Sequence, residues 1–415
     1  MMTNTKKPLE DILIIDNSWV IAGPHGVRLL SDLGAKVIHV ETSKKRDMVR
    51  FDHLRLGTKS GAEEGGMVFH ENNRNALGLQ LNLKSEKGRD IYHKLVEIAD
   101  VVVSNITPRA VRSMGIDFET LSQYNPKIIT VNASGMGDFG CKKDTMIFAP
   151  ALSCVSGLSY TVGYEGEEGV GISVSTADDV GGAMLAFAVL QALAERDATG
   201  KGQFIDLSEA ENMINFIGST VIEWGYNHEQ TGPIGNHAYY GPLCPHNAYS
   251  GAGRDKWMAL SIGSDEEWQR FVDVVGDEAE ELRDEKYATY EGRKAAEEHL
   301  DEVIAGIVVK HNYRVLAEKL QRAGVSAAPV NSTGETLADE HLNARGFYQP
   351  VGLPVYDPRQ PDFLISSVVP KVMPRSMNEI KPGPALGQDN EYILKELLHM
   401  TEEEIAEAQA EEAFI

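Results

Sequence analysis

"ILIIDNSWVIAGPHGVRLLSDLGAKVIHVE", Ile12 to Glu41, decides the fold. "ILIID" is a short apolar run and reads as a buried strand, while "NSWVIAGP" is a turn cluster. "HGVRLLSDLG" carries its apolar residues at helical spacing and stops at Gly34, and "KVIHVE" is a second strand. Strand, helix and strand in this order make a βαβ unit. The pattern recurs downstream as the strand "ALGLQLNL" (76–83), a helix over roughly 85–98, the strand "DVVVSN" (100–105), a helix near Arg109 to Met114, and the strand "KIITVNAS" (127–134). Strands that alternate with helices imply an α/β fold with a mostly parallel sheet covered on both faces.

A long apolar helix follows over about 180–196, apolar nearly all round and therefore expected to be buried. After it come the turn "DATGKG" (197–202), the strand "QFIDLS" (203–208) and the helix "EAENMINFIGSTVIEWGY" (209–226). Past Tyr226 the chain is dense in Gly, Pro, Asn and Tyr and reads as loops. The strand "WMALSI", the helix "SDEEWQRFVDVVG", a charged helical region through Lys319 and "GVSAAPV" then suffice for a small α+β domain. Prolines recur in an extended stretch from Pro354 to Pro384, and residues 388–415 form an acidic amphipathic helix or pair of helices. The expected organisation is 1–205 as the first part of a large domain, 206–228 as a linker helix, 229–335 as the small domain, and 336–415 as the return to the large one.

Composition narrows the function. The chain has 415 residues, 42% of them hydrophobic and 24% charged, and a formal charge of −23. Such a balance argues against nucleic acid or an anionic membrane as a partner, since either needs a basic face that releases counterions. No run of 18 apolar residues and no charged-then-apolar leader at Met1 is present, so a soluble cytoplasmic protein is expected. Three scattered cysteines, Cys141, Cys154 and Cys244, make no disulfide framework and fit a reducing compartment. Cys244-Pro245-His246 lacks the paired spacings of a zinc site, and no metal is expected.

The opening βαβ unit ends its second strand on an acid, Glu41, as a dinucleotide site would. Its glycines, Gly23 and Gly26 in "AGPHG", do not match G-x-G-x-x-G, where each glycine has a separate steric task. No P-loop, G-x-S-x-G elbow or H-E-x-x-H occurs either. The best candidate lies in "VSTADDVGGAML" (174–185), where Asp178 and Asp179 stand at the start of the long apolar helix. Both acids suit a helix cap. The same position would hold a carboxylate anionic and oriented, as a nucleophile must be. Gly181 and Gly182 each cost a helix about 1 kcal/mol relative to alanine, so a close approach of backbone must compensate for them. His25, after Pro24, reads first as a surface histidine at a helix start, with contact to substrate or CoA as the alternative.

Four stretches, "WVIAGPHGVRLLSDLGAKVIHVE", "NLKSEKGRDIYHKLVEIADVVVSNITPRAVRSMGID", "ADDVGGAMLAFAVLQALAERDATGKGQFIDLSEAE" and "LGQDNEYILKELLHMTEEEIA", resemble in order and spacing the class III CoA-transferases, the family of formyl-CoA transferase and carnitine CoA-transferase. An Asp followed four residues later by Gly, then a buried helix and "TGKGQ", gives Asp178 the nucleophile position. The resemblance implies a Rossmann-like large domain, a small middle domain and an interlinked ring-like dimer. It implies acyl-CoA and carboxylic acid substrates, no permanently bound cofactor, and transfer through an aspartyl anhydride and an aspartyl-CoA thioester on Asp178. CoA would lie near Ala22, Gly23, Asn105 and Ala110, with Arg74 and Arg109 as basic contacts. The substrate loop corresponds to "GNHAYYGPLCP" and brings Asn236, Tyr239, Tyr240 and Gly241.

The chain departs from the family at Ala76, Leu77, Thr42 and Ser113, where basic residues often stand, although Lys44, Lys45 and Arg112 are close by. Those losses leave a second reading open, a catalytically reduced partner subunit of a heteromeric transferase such as the benzylsuccinate enzymes. Tyr239, Tyr240 and Trp224 make an aromatic or bulky acid acceptor plausible, with succinyl-CoA as donor by analogy. The α-methylacyl-CoA racemases of the same superfamily need a His in the stretch that here reads "MIFAPALSCVSG", and none is present.

Overall fold

Ile14 and Ile15, neighbours in the first strand, are both fully buried yet belong to different apolar cores, as alternation along a strand covered on both faces requires. The computed structural model describes residues 7–51, 64–167, 169–171, 175–230, 232–238, 241–352, 362–371 and 380–415. They divide into two units, Met1–Ser159 with Gly171–Gln230 and Arg345–Ile415, and Tyr160–Val170 with Thr231–Ala344.

The first unit opens with β1 (Leu13–Asp16), α1 (Ala22–Asp32), β2 (Lys36–Glu41), α2 (Met67–Asn72), β3 (Leu77–Gln80), α3 (Glu86–Ile98), β4 (Val101–Ser104), α4 (Pro108–Met114), α5 (Phe118–Leu121) and β5 (Ile129–Asn132). Next come α6 (Ala149–Val155) and α7 (Leu158–Thr161), by which the chain passes into the second unit. It returns as α8 (Thr176–Thr199), β6 (Gln203–Asp206), α9 (Glu209–Phe216) and α10 (Gly218–Asn227). The six strands pair in parallel in the order β3-β2-β1-β4-β5-β6. That is the doubly wound order whose chain reversal falls between β1 and β4.

Local chemistry explains the helices. Ser85 accepts a hydrogen bond from Gly88 N (3.2 Å) and caps α3, whose buried Ile91, Tyr92, Leu95 and Val96 form one stripe. One face of the sheet is closed by α3 and by Ile393, Leu394 and Phe414 from the end of the unit. Val27 and Leu30 of α1 and Leu185, Val189 and Leu193 of α8 close the other.

Where α1 crosses α8, no side chain fits between them. A Cβ on Gly182 would stand 2.8 Å from Ala22 O and 3.0 Å from Gly26 N, and one on Gly26 would stand 2.6 Å from Gly182 O. Backbone cannot yield there as a side chain can. Gly182→Ala is therefore expected to lower stability by about 1–3 kcal/mol despite alanine's better helix propensity, read as a fall in urea midpoint at constant m-value.

The second unit holds β7 (His246–Ser250), β8 (Trp257–Ser261), α11 (Asp265–Val275), α12 (Tyr290–Ala295), α13 (Glu297–Val308), α14 (Tyr313–Arg322), β9 (Ser326–Val330), α15 (Thr333–Leu337) and α16 (Glu340–Ala344). Its antiparallel sheet, β7-β8-β9, is backed by Trp268, Phe271, Leu300, Ile304, Leu316 and Leu320. The chain then re-enters the first unit through an antiparallel pair, β10 (Tyr348–Gly352) and β11 (Asp362–Ser366), and ends in α17 (Glu402–Ala410), capped reciprocally by Thr401 and Glu404.

Several expectations need correction. The segment expected as a linker helix is the end of β6 and two helices, broken at Ile217, and α9 buries Ala210, Asn212 and Met213 within the first unit. Residues 160–170 and 336–344 belong to the second unit, because their Cα packing is with it. The "DAT" of the expected turn continues α8 to Thr199. Only one face of α8 is buried, and Met184, Phe187 and Leu190 are exposed on the other. Strand β7 falls in the stretch read as loops, since "HNAYS" has one fully buried residue and no apolar run. Of the proline-rich stretch, residues 353–361 and 372–379 lie outside the described residues.

Candidate active site

At the C-terminal end of β1 the loop Asn17–Ile21 leads into α1. Ser18 N donates to Asp16 Oδ1 (2.9 Å), and Asn105, just past β4, accepts from Trp19 N (2.9 Å) and donates to Trp19 O (2.7 Å). These bonds fix the loop across the β1–β4 junction, where a doubly wound sheet opens its ligand crevice. A Cβ on Gly23 would collide with Ser18 Cβ at 2.2 Å, so glycine is required for the helix to start this close. Ala22, Gly23 and Asn105 are thus gathered at one point.

The α1–α8 crossing brings the start of α8 to the same place. Asp178 and Asp179, adjacent in sequence, have different environments there. Asp179 is exposed, accepts from Ser175 Oγ (3.1 Å) and lies 4.0 Å from His25 Nδ1. Asp178 is half-buried, and burial, reinforced by the neighbouring charge of Asp179, pushes its carboxyl up to about 7. Loss of hydration thus works against the anion that the start of a helix favours. A carboxyl near 7 is half ionised at neutral pH, and its anion is a more basic, stronger nucleophile than an ordinary carboxylate.

His25 is not a surface histidine. Its side chain is 17% exposed and its Cδ2 lies over Gly182. Burial and the nearby Arg28 lower its pKa, so the ring is neutral near pH 7.

Arg74 is also placed otherwise than expected. Its guanidinium is buried, with Nε on Asp32 Oδ1 (3.0 Å), a further bond to Asp32 Oδ2, and Nη1 on the Ser366 hydroxyl (3.2 Å). Those partners tie α1 to β11 through a buried guanidinium. Arg109 is exposed at the start of α4, its backbone N–H donating to Asp144 (3.1 Å), and Ala110 follows it. Asn236 belongs to the second unit, where it donates to Asn247 Oδ1 (3.0 Å) and lines a cleft of about 410 Å³ with His246 and Ser261. Gly241 is in the same unit, and Tyr239 and Tyr240 lie outside the described residues.

Two features of the site region have no counterpart in the sequence reading. One is an interior ionic cluster at the ends of β1 and β2. His39 Nδ1 lies 3.0 Å from Asp16 Oδ2, its Nε2 lies 3.4 Å from Glu41 Oε2, and Glu41 also accepts from Arg50 Nε at 2.9 Å. The other is Glu209, a buried carboxyl behind Asp178. Both residues look unremarkable in sequence, one a strand-end histidine and the other an acid after a helix cap.

The first unit is thus a doubly wound sheet with a half-buried carboxyl at the start of α8, and comparison with known proteins gives the class. Residues 9–390 match the model of CoA-transferase family III, and the chain belongs to that family. It is 28% identical over 407 residues to the succinyl-CoA–D-citramalate CoA-transferase of Chloroflexus aurantiacus, covering 97% of both chains. It is 29% identical over 406 residues to the beta subunit of that organism's succinyl-CoA–L-malate CoA-transferase, again covering 97% of each. The succinate–glutarate CoA-transferase of Agrobacterium fabrum is 28% identical, with 95% of this chain and 97% of the relative covered. Among solved structures, a CAIB/BAIF family protein from Brucella suis superposes with a TM-score of 0.83 at 25% identity, covering 94% of this chain and 99% of that one. The protein is a CoA-transferase.

Proposed function

We propose that the enzyme moves CoA from succinyl-CoA to a free dicarboxylic acid, with Asp178 as the nucleophile. The observation that carries the reading is the half-buried Asp178 carboxyl at the start of α8, one turn before Gly182, which packs against Ala22 and Gly26 of α1. Its carboxylate oxygen attacks the thioester carbonyl, the C–S bond breaks, and CoA leaves as a thiolate, giving an aspartyl mixed anhydride. The thiolate then attacks the aspartyl carbonyl and expels succinate, which leaves an aspartyl-CoA thioester. The acceptor carboxylate runs the two steps backwards and restores Asp178. No proton is gained or lost in the cycle.

The names of the relatives, which pair succinyl-CoA or succinate with citramalate, malate or glutarate, support a dicarboxylate acceptor. Benzylsuccinate, a bulkier dicarboxylate, is the finer candidate. Lys44, Lys45, Arg109 and Arg112 take over the CoA phosphate contacts from the committed Arg74. The free thiols of Cys141, Cys154 and Cys244 suit the cytoplasm.

Hydroxylamine trapping tests the mechanism. Intact-mass analysis after incubation with succinyl-CoA and hydroxylamine is expected to show a hydroxamate at Asp178, and absence of any adduct with a panel of acyl-CoAs would reject it. The acceptor panel is glutarate, malate, citramalate and benzylsuccinate.

A paired assembly completes the reading. Helix α10 buries none of its residues, and Val221, Ile222 and Trp224 stand exposed there, as do Met184, Phe187 and Leu190 on α8. An apolar area of this kind needs a cover, which we assign to a second copy in the interlinked dimer. A related chain is the alternative, favoured by the subunit composition of the malate enzyme. Light scattering of the purified chain should give twice the protomer mass, and turnover by that sample would dismiss the partner-subunit reading.

A further inference from the structure

Among the described residues, Glu209 is the buried carboxyl beside the proposed nucleophile that the transfer chemistry leaves unused. It is the first residue of α9, whose cap is Ser208, and its backbone N–H donates to Ser134 O (3.1 Å), which fixes where the side chain begins. The side chain runs over the first turns of α8. A Cβ added to Gly181 would lie 3.3 Å from Glu209 Cγ and 3.7 Å from its Cδ. Gly181 thus makes room for this carboxyl three residues after Asp178, as Gly182 makes room for α1. Only 5% of Glu209 reaches solvent.

Two anions cannot share such a place. Burial, with the charge of Asp178 added to it, pushes Glu209 up to about 8. The other groups around it do not compensate. Helix α6 brings no charged side chain, and its Cys154 is exposed. Glu211 on the same helix acts on Asp206, and Glu223 of α10 accepts from Asn227 on its own helix. Asp179 is turned to Ser175 and His25.

We propose that Glu209 is a positioning residue for Asp178, a buried carboxyl that packs over Gly181 beside the nucleophile and adds no charge of its own while Asp178 is the anion. The inference rests on Asp178 being the nucleophile. When Glu209 ionises, the added charge repels the anionic carboxylates that must enter, and turnover falls.

The test is the pH profile of kcat/KM for the whole enzyme. The native profile is expected to rise as Asp178 ionises, near pH 7, and to fall as Glu209 ionises, near pH 8. Glu209→Gln keeps the neutral shape and cannot ionise, so it should keep the acid limb and lose the alkaline one, removing a fall of about tenfold at one pH unit above the limb. An alkaline limb that persists in Glu209→Gln would overturn the proposal. So would loss of activity at every pH in a folded variant, because an ionised Glu209 would then be needed.

Hydroxylamine trapping in the same samples separates the two hypotheses. No adduct at Asp178 in native enzyme defeats the nucleophile itself, whereas an adduct with an unchanged alkaline limb defeats only the role of Glu209. Should the variant not fold, infrared titration of native enzyme carrying isotope-labelled glutamate decides. A protonated glutamate carboxyl at pH 7 that is lost near pH 8 supports the proposal, and its absence overturns it.

Discussion

Asp178→Asn is expected to yield a folded protein whose CoA transfer is reduced by about 10⁴-fold or more, the scale on which removal of a covalent nucleophile acts. The amide preserves the shape and the capping capacity of the aspartate but has no anionic oxygen to attack a thioester, so neither anhydride nor aspartyl-CoA can form. Binding of acyl-CoA should survive, because the positions at which CoA is proposed to lie, Ala22, Gly23 and Asn105, are untouched, and the loss should therefore appear in kcat more than in KM. Asp179→Asn is the control. That carboxylate is exposed and bonded to Ser175, and its removal is expected to lower the Asp178 pKa, moving the acid limb of the profile to lower pH. Equal damage from the two substitutions would reject the division of labour between the two acids.

His39→Leu is expected to cost about 3–5 kcal/mol of stability, the penalty for stranding a buried charge by removing its partner. Burial opposes a charge on His39, but hydrogen bonds to Asp16 and Glu41 outweigh it and raise its pKa to about 10. The histidine is a cation at pH 7, and it is the buried cation beside Asp16, whereas Glu41 also has Arg50. A pKa raised in the folded state confers stability that is complete below the unfolded value of about 6.5 and is lost as pH rises through 10. Urea midpoints of the native protein should therefore decline from neutral pH towards pH 10, and those of His39→Leu should not show that decline. A variant as stable as the native chain would show that the cluster is indifferent to its central cation.

The sheet was legible because its strands are short apolar runs and its helices carry stripes and caps that depend on near neighbours. The helix start that carries Asp178 and Asp179 was legible for a similar reason, since two acids followed by two glycines is a local pattern. What escaped depends on partners far away in sequence. Arg74 reads as a free basic residue until Asp32 and Ser366 are seen around it, and Glu209 draws no notice until it is seen packed over Gly181. Strand β7 escaped because its pairing with β8 does not need an apolar run. The exposed stripe of α8 was read as buried, since periodicity cannot say which neighbour covers an apolar face.

The edge of the main sheet is finished late. Gly78 N of β3 donates to Asp389, 311 residues further on, and Asn82 N donates to Ala413 O. At a ribosomal pace of about 5–20 residues per second, roughly 15–60 s pass before that cover exists. During that interval β3 is an open edge and α3 lacks Ile393, Leu394 and Phe414 as packing partners. A stop codon a few dozen residues early would leave that edge strand uncovered in a chain whose proposed nucleophile had already been made.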